Sequence, residues 1–511
     1  MVLTIAFFWN ALILTTNTFD HTVGAGVPQS IFFMPMLAAA AAMTLFALRG
    51  LVDHRLRDLL LMAGIGIVVA GAWFAFATIW EEGQPPLLPL MAVAFIVALV
   101  SGMSIGFVLA FASLCYVWAG DILPGEIFAQ QLARGIDNFV LLAVPFFILV
   151  GYLMESNGMS VRLIALLQRA VGRVRGGLNV VMVLSMVIFS GISGSKMADV
   201  AAVGAVLVPA ARRSKQDPSD AVALLASSAI MAETIPPCIN LIILGFVANI
   251  SIGGLFMAGL LPAVLMASAL IAVSVALGKR TEVAIVGTPM PMSQLITGAV
   301  IVFGLIAVIF GGYRSGFATA TEASAFAAIY ALVVGIIAFR ELTPSGTVKV
   351  FKDSAVRAGM VMFIVAAAQT LAYTLTLEQV PHMLADAMIE LASAHGAWLF
   401  MLLSIFVIII MGAVLEGPAA LIIFGPLLMP VAKQLGVDPL HYGIVLVVGM
   451  GIGLFAPPLG LGLYGACLIG NVKMEETIRP IMKYLGILFV CLLLLAAFPW
   501  LSTALPRATG Y

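Results

Sequence analysis

Apolar residues in this chain run in long blocks, and what interrupts the blocks carries most of the information. Stretches near 1–17, 31–49 and 59–80 are apolar almost throughout. From residue 87 onward, block follows block with only short polar seams. None shows the two-residue alternation of a half-buried strand, and most approach the ~20 residues that one helical crossing of a ~30 Å hydrocarbon layer requires. The pattern predicts an all-α polytopic membrane protein with on the order of a dozen crossings, because a barrel would show short alternating segments instead.

Some blocks are too long for one upright helix. Residues 180–211 would extend ~48 Å as a straight helix, and they are interrupted by Ser190-Gly191-Ile192-Ser193-Gly194-Ser195. Residues 397–432 repeat the problem and break at Gly412-Ala413-Val414-Leu415-Glu416-Gly417-Pro418. A re-entrant hairpin with its small-residue tip near mid-membrane fits each run, and a strongly tilted or kinked helix is the alternative. Two further apolar helices, about 221–248 and 441–470, are cut by double prolines, in Thr234-Ile235-Pro236-Pro237-Cys238-Ile239-Asn240 and in Phe455-Ala456-Pro457-Pro458-Leu459-Gly460. Proline removes a backbone donor and clashes with the preceding turn, so these helices break there.

The breaks come in pairs because the chain repeats. At a constant offset of 221 residues, Gly191 matches Gly412, Gly204 matches Gly425, Pro209 matches Pro430, Asp217-Pro218 matches Asp438-Pro439 and Pro236-Pro237 matches Pro457-Pro458. This predicts three regions: an N-terminal membrane-helical extension at 1–85, closed by the polar seam Glu81-Glu82-Gly83-Gln84-Pro85-Pro86, a first repeat at 86–285 and a second at 290–505. Halves of this kind commonly have inverted topology in secondary transporters. The basic loop Arg212, Arg213, Lys215 against its weaker equivalent at Lys433 agrees with that, placing the first loop in the cytoplasm. The opening block lacks a basic segment ahead of its apolar core and reads as a retained span rather than a signal peptide.

Composition narrows the class. Of 511 residues, 63% are hydrophobic and 9% charged, against roughly 25% charged in soluble domains. The 24 basic and 24 acidic residues cancel, so nothing favours nucleic acid as a partner; the lipid bilayer is the environment. Four cysteines without paired spacing read as small core residues. No cluster of His, Asp or Glu suggests a membrane enzyme, and His382, His395 and His441 are scattered. Individual charges inside apolar blocks are functional candidates by their cost alone: Lys196, Asp199, Glu233, Glu322 and Glu416. Lys196 and Asp199, three apart, could share a helix face and partly neutralise each other; Glu322 is placed to cap a helix start instead. Unwound carbonyls at the breaks can hold a monovalent cation, and exposed helix N-termini an anionic group. The candidate ion and substrate residues are therefore Ser193, Gly194, Ser195, Lys196, Asp199, Glu233, Thr234, Pro236, Pro237, Asn240, Glu416, Gly417, Pro457, Pro458 and Gly460. Ser193, Ser195 and Asn240 are the candidate Na+ ligands.

At these motifs the chain resembles the large membrane subunit of tripartite ATP-independent periplasmic (TRAP) transporters over roughly 87–505. The carriers are Asn138-Phe139-Val140-Leu141-Leu142-Ala143-Val144-Pro145-Phe146-Phe147, Gly191 to Ser195 with Ala198-Asp199, Ile235-Pro236-Pro237, Thr321-Glu322-Ala323 and Gly453-Leu454-Phe455-Ala456-Pro457-Pro458-Leu459-Gly460. The resemblance implies a sodium-driven elevator-type importer in a bacterial inner membrane. It also implies two partners, a small membrane subunit and an extracytoplasmic solute-binding protein, and a small organic anion such as a dicarboxylate or sialic acid as substrate. No further cofactor is implied. Residues 1–85 lie outside the match and are open to reading as an abbreviated, fused small subunit. The sequence departs from the family at the ion-site neighbourhood, where Lys196, Glu233, Cys238, Ala456 and Gly462 replace residues that are usually small or neutral oxygen donors. Conventional sodium coupling is thereby in question, and a binding-protein-independent or proton-coupled transporter of the same fold, working through Glu233 or Glu416, stays open.

Overall fold

The computed structural model describes residues 2–18, 22–23, 27–28, 30–52, 87–120, 124–194, 196–278, 290–314, 318–415 and 417–510. The apolar block 59–80, most of the basic loop that precedes it, the seam 81–86, Ser195 and Glu416 lie outside these residues. The described residues form two compact units, Met1–Asp137 with Met362–Val380, and Asn138–Val361 with Pro381–Tyr511.

The first unit holds α1 (Val2–Asn17), two antiparallel two-residue strands (Thr22–Val23 and Val27–Pro28), α2 (Ser30–Val52), α3 (Leu87–Val100), α4 (Ile105–Gly120) and α5 (Glu126–Ile136), together with residues 362–380. The extension is built into it: α1 lies against both α2 and α5, with Phe7 edge-on to Phe128 at 6.4 Å and Asn17 Nδ2 donating to Glu126 Oε1 at 2.5 Å. Residues 362–380 are tied to α4 by Tyr116 Oη donating to Glu378 Oε1 at 2.7 Å and Thr370 Oγ1 donating to Ser113 Oγ at 3.1 Å.

The second unit continues with α6 (Ala143–Ser156), α7 (Met159–Val171), α8 (Gly177–Ser193), α9 (Lys196–Arg213), α10 (Pro218–Met231), α11 (Ile239–Val247), α12 (Ile252–Leu277), α13 (Met292–Arg314) and α14 (Ala320–Val333). Then come α15 (Pro344–Leu377), whose latter part belongs to the first unit, α16 (Val380–His395), α17 (Ala397–Val414), α18 (Gly417–Gln434), α19 (Pro439–Phe455), α20 (Leu461–Gly470), α21 (Met474–Ala497) and α22 (Trp500–Thr509). Eight of the described helices are long and apolar enough to cross a membrane, nine if α10 and α11, bent by 42° at the first double proline, count as one broken span.

Both overlong blocks break where their glycines sit. The first becomes α8 and α9, which pack on one another, and the second becomes α17 and α18. The repeat is visible in local backbone as well as in residue identity. Lys196 and Gly417, which open α9 and α18, are 221 apart, as are Arg213 and Gln434, which close them. Both helices end in the same left-handed cap, at Lys215 (φ 55) and Gly436 (φ 75), where the following amides of Gln216 and Val437 return to the carbonyls of Ala211 and Ala432. Asp217 and Asp438 then cap α10 and α19, each accepting from the amide two residues on at 2.9 Å. Past the double prolines the offset becomes 222: α11 opens at Ile239 and α20 at Leu461, and each ends on a left-handed asparagine, Asn249 and Asn471. One inserted residue in the second break therefore accounts for the slip in register.

If the two repeats are inverted in the membrane, the equivalent exposed residues Arg213 and Gln434 lie on opposite sides. Single cysteines there, in a background lacking the half-buried Cys115, should differ in labelling by an impermeant thiol reagent applied to spheroplasts. Equal labelling would contradict the inversion.

Candidate ion and substrate site at the helix breaks

The first hairpin turns because Gly194 takes a left-handed backbone (φ 62) that a residue with a Cβ adopts only at a cost. Glycine also permits a close approach, since a Cβ there would sit 2.8 Å from the carbonyl oxygen of Pro237. The hairpin tip is thus laid directly on the first proline break. Ser190 Oγ donates to the carbonyl of Ala232 at 2.9 Å, fastening the same two segments one turn earlier. On the far side of the break, a Cβ at Gly259 of α12 would lie 2.0 Å from the carbonyl oxygen of Thr234, so α12 backs the site at van der Waals limit.

Side chains in the first turn of a helix lean toward its N-terminus. Lys196, the first residue of α9, accordingly reaches past the helix end and makes an ion pair with Glu233. Asp199, one turn later, accepts a hydrogen bond at 2.5 Å from Ser193, the last residue of α8, and so ties the two arms of the hairpin together. A carboxylate in the first turn also suits the positive end of the helix. Lys196 and Asp199 do share the first turn of α9, but because the helix begins at Lys196 its ammonium extends beyond the helix end to a carboxylate 37 positions along the chain.

Glu233 is 1% exposed and well ligated. Asn240 Nδ2 donates to its Oε2 at 2.7 Å, the thiol of Cys238 lies 3.6 Å from the same oxygen, and Lys196 takes Oε1. The second repeat closes the cluster from the other side. A Cβ on Gly417, the first residue of α18, would meet Lys196 Nζ at 3.0 Å, Asn240 Nδ2 at 3.1 Å and Met450 Sδ at 2.9 Å, and a Cβ on Gly451 of α19 would meet Glu233 Cγ at 3.2 Å. Both hairpins and the first proline break thus converge on one buried ion pair.

Not every candidate joins it. Thr234 is fully buried, but its hydroxyl is spent on the carbonyl of Met231 at 2.9 Å, a local bond that shapes the break. Pro236 and Pro237 supply backbone rather than polar side chains. The second break is laid out differently from the first: Pro457 is half-buried and Pro458 exposed, whereas Pro236 and Pro237 are both buried. Gly460 closes this second turn tightly, a Cβ there falling 2.6 Å from the carbonyl oxygen of Ala456. Glu322 forms a reciprocal capping box with Thr319 at the start of α14, its Oε2 accepting from the Thr319 amide at 2.7 Å. Three participants escaped the sequence reading: Gly259, Met450 and Gly451. Nothing local marks them, because each acts on a segment far away in sequence. Arg212 was read only as a topology charge; it donates to the last carbonyls of α20 and its cap, Gly470 at 2.7 Å and Asn471 at 2.8 Å.

The profile of the tripartite ATP-independent periplasmic transporter family, DctM component, matches residues 92–501. The chain belongs to this family. It is similar to the sialic acid TRAP transporter large permease SiaM of Vibrio cholerae, 33% identical over 411 residues that cover 80% of this chain and 96% of that protein. It is likewise similar to the 2,3-diketo-L-gulonate large permease YiaN of Escherichia coli, 34% identical over 79% of this chain and 96% of the relative. A third relative, the isethionate TRAP transporter permease DctMQ of Oleidesulfovibrio alaskensis, is 30% identical over 96% of this chain and 78% of its own length. Among solved structures, the Alcanivorax borkumensis YdaH transporter superposes with a TM-score of 0.55 at 13% identity, covering 75% of this chain and 90% of that one. Neisseria gonorrhoeae MtrF gives 0.53 at 12% identity, covering 83% and 97%. These two share the fold. The TRAP large permease described here is thus a multi-pass protein of the bacterial inner membrane and a component of a secondary transporter. Its family is one of permeases, not of enzymes.

Proposed function

We propose that this large permease imports a small organic anion, driven by an ion gradient, by an elevator-type movement that carries the hairpin junction across the membrane. The observation that carries this reading is the convergence of two hairpins and a broken helix, from both repeats, on the buried pair Lys196 and Glu233. Broken helices at such a junction expose carbonyls and amide ends that a packed bundle without ligands would not retain in symmetric pairs. The relatives' names refer to sialic acid, 2,3-diketo-L-gulonate, C4-dicarboxylates and isethionate, all small organic acids. That consistency supports an anionic solute here.

Two partners complete the proposal. An extracytoplasmic solute-binding protein delivers the substrate, and the small-subunit function is supplied by a separate chain or in part by residues 1–85. The reach of the DctMQ match across 96% of the chain and the packing of α1 on α5 support the fused arrangement. In proteoliposomes with an imposed ion gradient, uptake should stay near background with free solute and rise when loaded binding protein is added outside. Equal rates with and without it would favour a binding-protein-independent transporter of the same fold.

A further inference from the structure

We infer that Lys196 is a built-in cation: its ammonium holds the two hairpins and the first proline break together as a bound monovalent ion would, so that this junction closes without a free alkali ion. The inference rests on the reading of the protein as an ion-gradient-driven transporter and assigns one junction a cation that never dissociates.

Four observations support it. The ammonium is not at a snorkelling position, since its partner Glu233 is 1% exposed and the lysine side chain itself only 16%. The carboxylate is one that a cation must accompany, because a buried carboxylate is tolerable only when paired or neutralised. Its other oxygen is already engaged by Asn240 and lies near Cys238, both from the far side of the break, so Oε1 is the oxygen left to the cation. Finally, Gly417 leaves just enough room: its missing Cβ would meet both the ammonium and the Asn240 amide, which places the opening residue of the second hairpin on the cation. Broken-helix junctions of transporters hold dissociable monovalent cations in this manner. Here a second positive charge beside the ammonium would be repelled at short range, and both Glu233 oxygens already have a partner.

Removing the ammonium should convert the junction into a true cation site. The test compares the purified full chain in nanodiscs as native protein, Lys196→Ala, and Lys196→Ala/Glu233→Gln, each in sodium chloride, methylammonium chloride and choline chloride at equal ionic strength. For the native protein, the melting temperature at saturating sodium should differ little from that in choline. Lys196→Ala should melt lower in choline and recover saturably with sodium or methylammonium, as a ligand binding only the folded state requires. Reconstituted in proteoliposomes under the same imposed ion gradient, Lys196→Ala should take up solute about tenfold or more slowly than the native protein, since breaking a buried pair costs well beyond the energy of one decade. The double variant should regain stability and lose the cation response, because the carboxylate that the ammonium neutralises is then gone. If Lys196→Ala cannot be purified while the double variant can, the charge argument holds. The inference is overturned if both are lost, if Lys196→Ala answers sodium and methylammonium no more than the native protein does, or if the response survives Glu233→Gln. Absence of uptake by the native protein under every gradient would instead overturn the transport reading, leaving the melting comparison intact.

Discussion

Glu233→Ala is expected to cost about 3–5 kcal/mol of folding stability, the scale on which removal of one member of a buried ion pair leaves the other uncompensated. The position has no tolerance for that loss. Glu233 lies in the short turn Ala232–Thr234, fully enclosed, and it is the common partner of Lys196, Asn240 and Cys238. Its removal leaves an ammonium at the N-terminus of α9, where the helix dipole already disfavours positive charge, and leaves the Asn240 amide without its acceptor. Replacing both Lys196 and Glu233 by methionine should restore most of the stability, since apolar groups of similar volume often substitute for a buried pair at no loss. Thermal or denaturant unfolding in detergent would compare the native protein, Glu233→Ala and the double methionine variant. A Glu233→Ala protein as stable as the native one would show that the pair contributes nothing to the fold.

Gly259→Ala is also expected to be damaging, although it adds only one methyl group and changes no charge. The added carbon would stand 2.0 Å from the Thr234 carbonyl oxygen and 3.0 Å from its carbon, and both atoms are backbone of the break itself. No rotamer change relieves such a contact, so either α12 or the break must shift. Overpacking of this kind typically costs about 1–3 kcal/mol, and here the displaced atoms adjoin Glu233. Uptake should therefore fall with stability. Gly486→Ala is the matched control: that glycine lies within α21, is exposed, and has nothing within 4 Å of an added Cβ. There the substitution should stabilise by about 0.5–1 kcal/mol through helix propensity. Equal effects at the two glycines would refute the packing argument.

The membrane class, the paired hairpins and the proline breaks were legible from sequence because each depends on local chemistry. Apolar length decides whether a segment belongs in lipid, and small residues or prolines in such a segment decide where its helix must stop. The Thr319 and Glu322 cap was legible for the same reason, its two partners being three residues apart. The repeated Asp217-Pro218 and Asp438-Pro439 form the same cap in both halves, since the same residues in the same order form the same turn.

Partner choice across the fold was not legible. Lys196 and Asp199 share the first turn of α9, as their spacing predicts, but at the first residue after a break a side chain also meets neighbours beyond the helix end. Only the folded chain brings Glu233 to Lys196, Ser193 to Asp199 and Gly417 to the ammonium. The same holds for Gly259 and Gly451, whose role is to be absent where another backbone or side chain passes. By itself, the sequence determined what kind of solvent surrounds the chain and where its helices end, because those follow from residues within a turn or two of one another. Tertiary structure alone decided which buried charges meet, because burial makes a charge seek a counter-charge wherever packing brings one, at any distance along the chain.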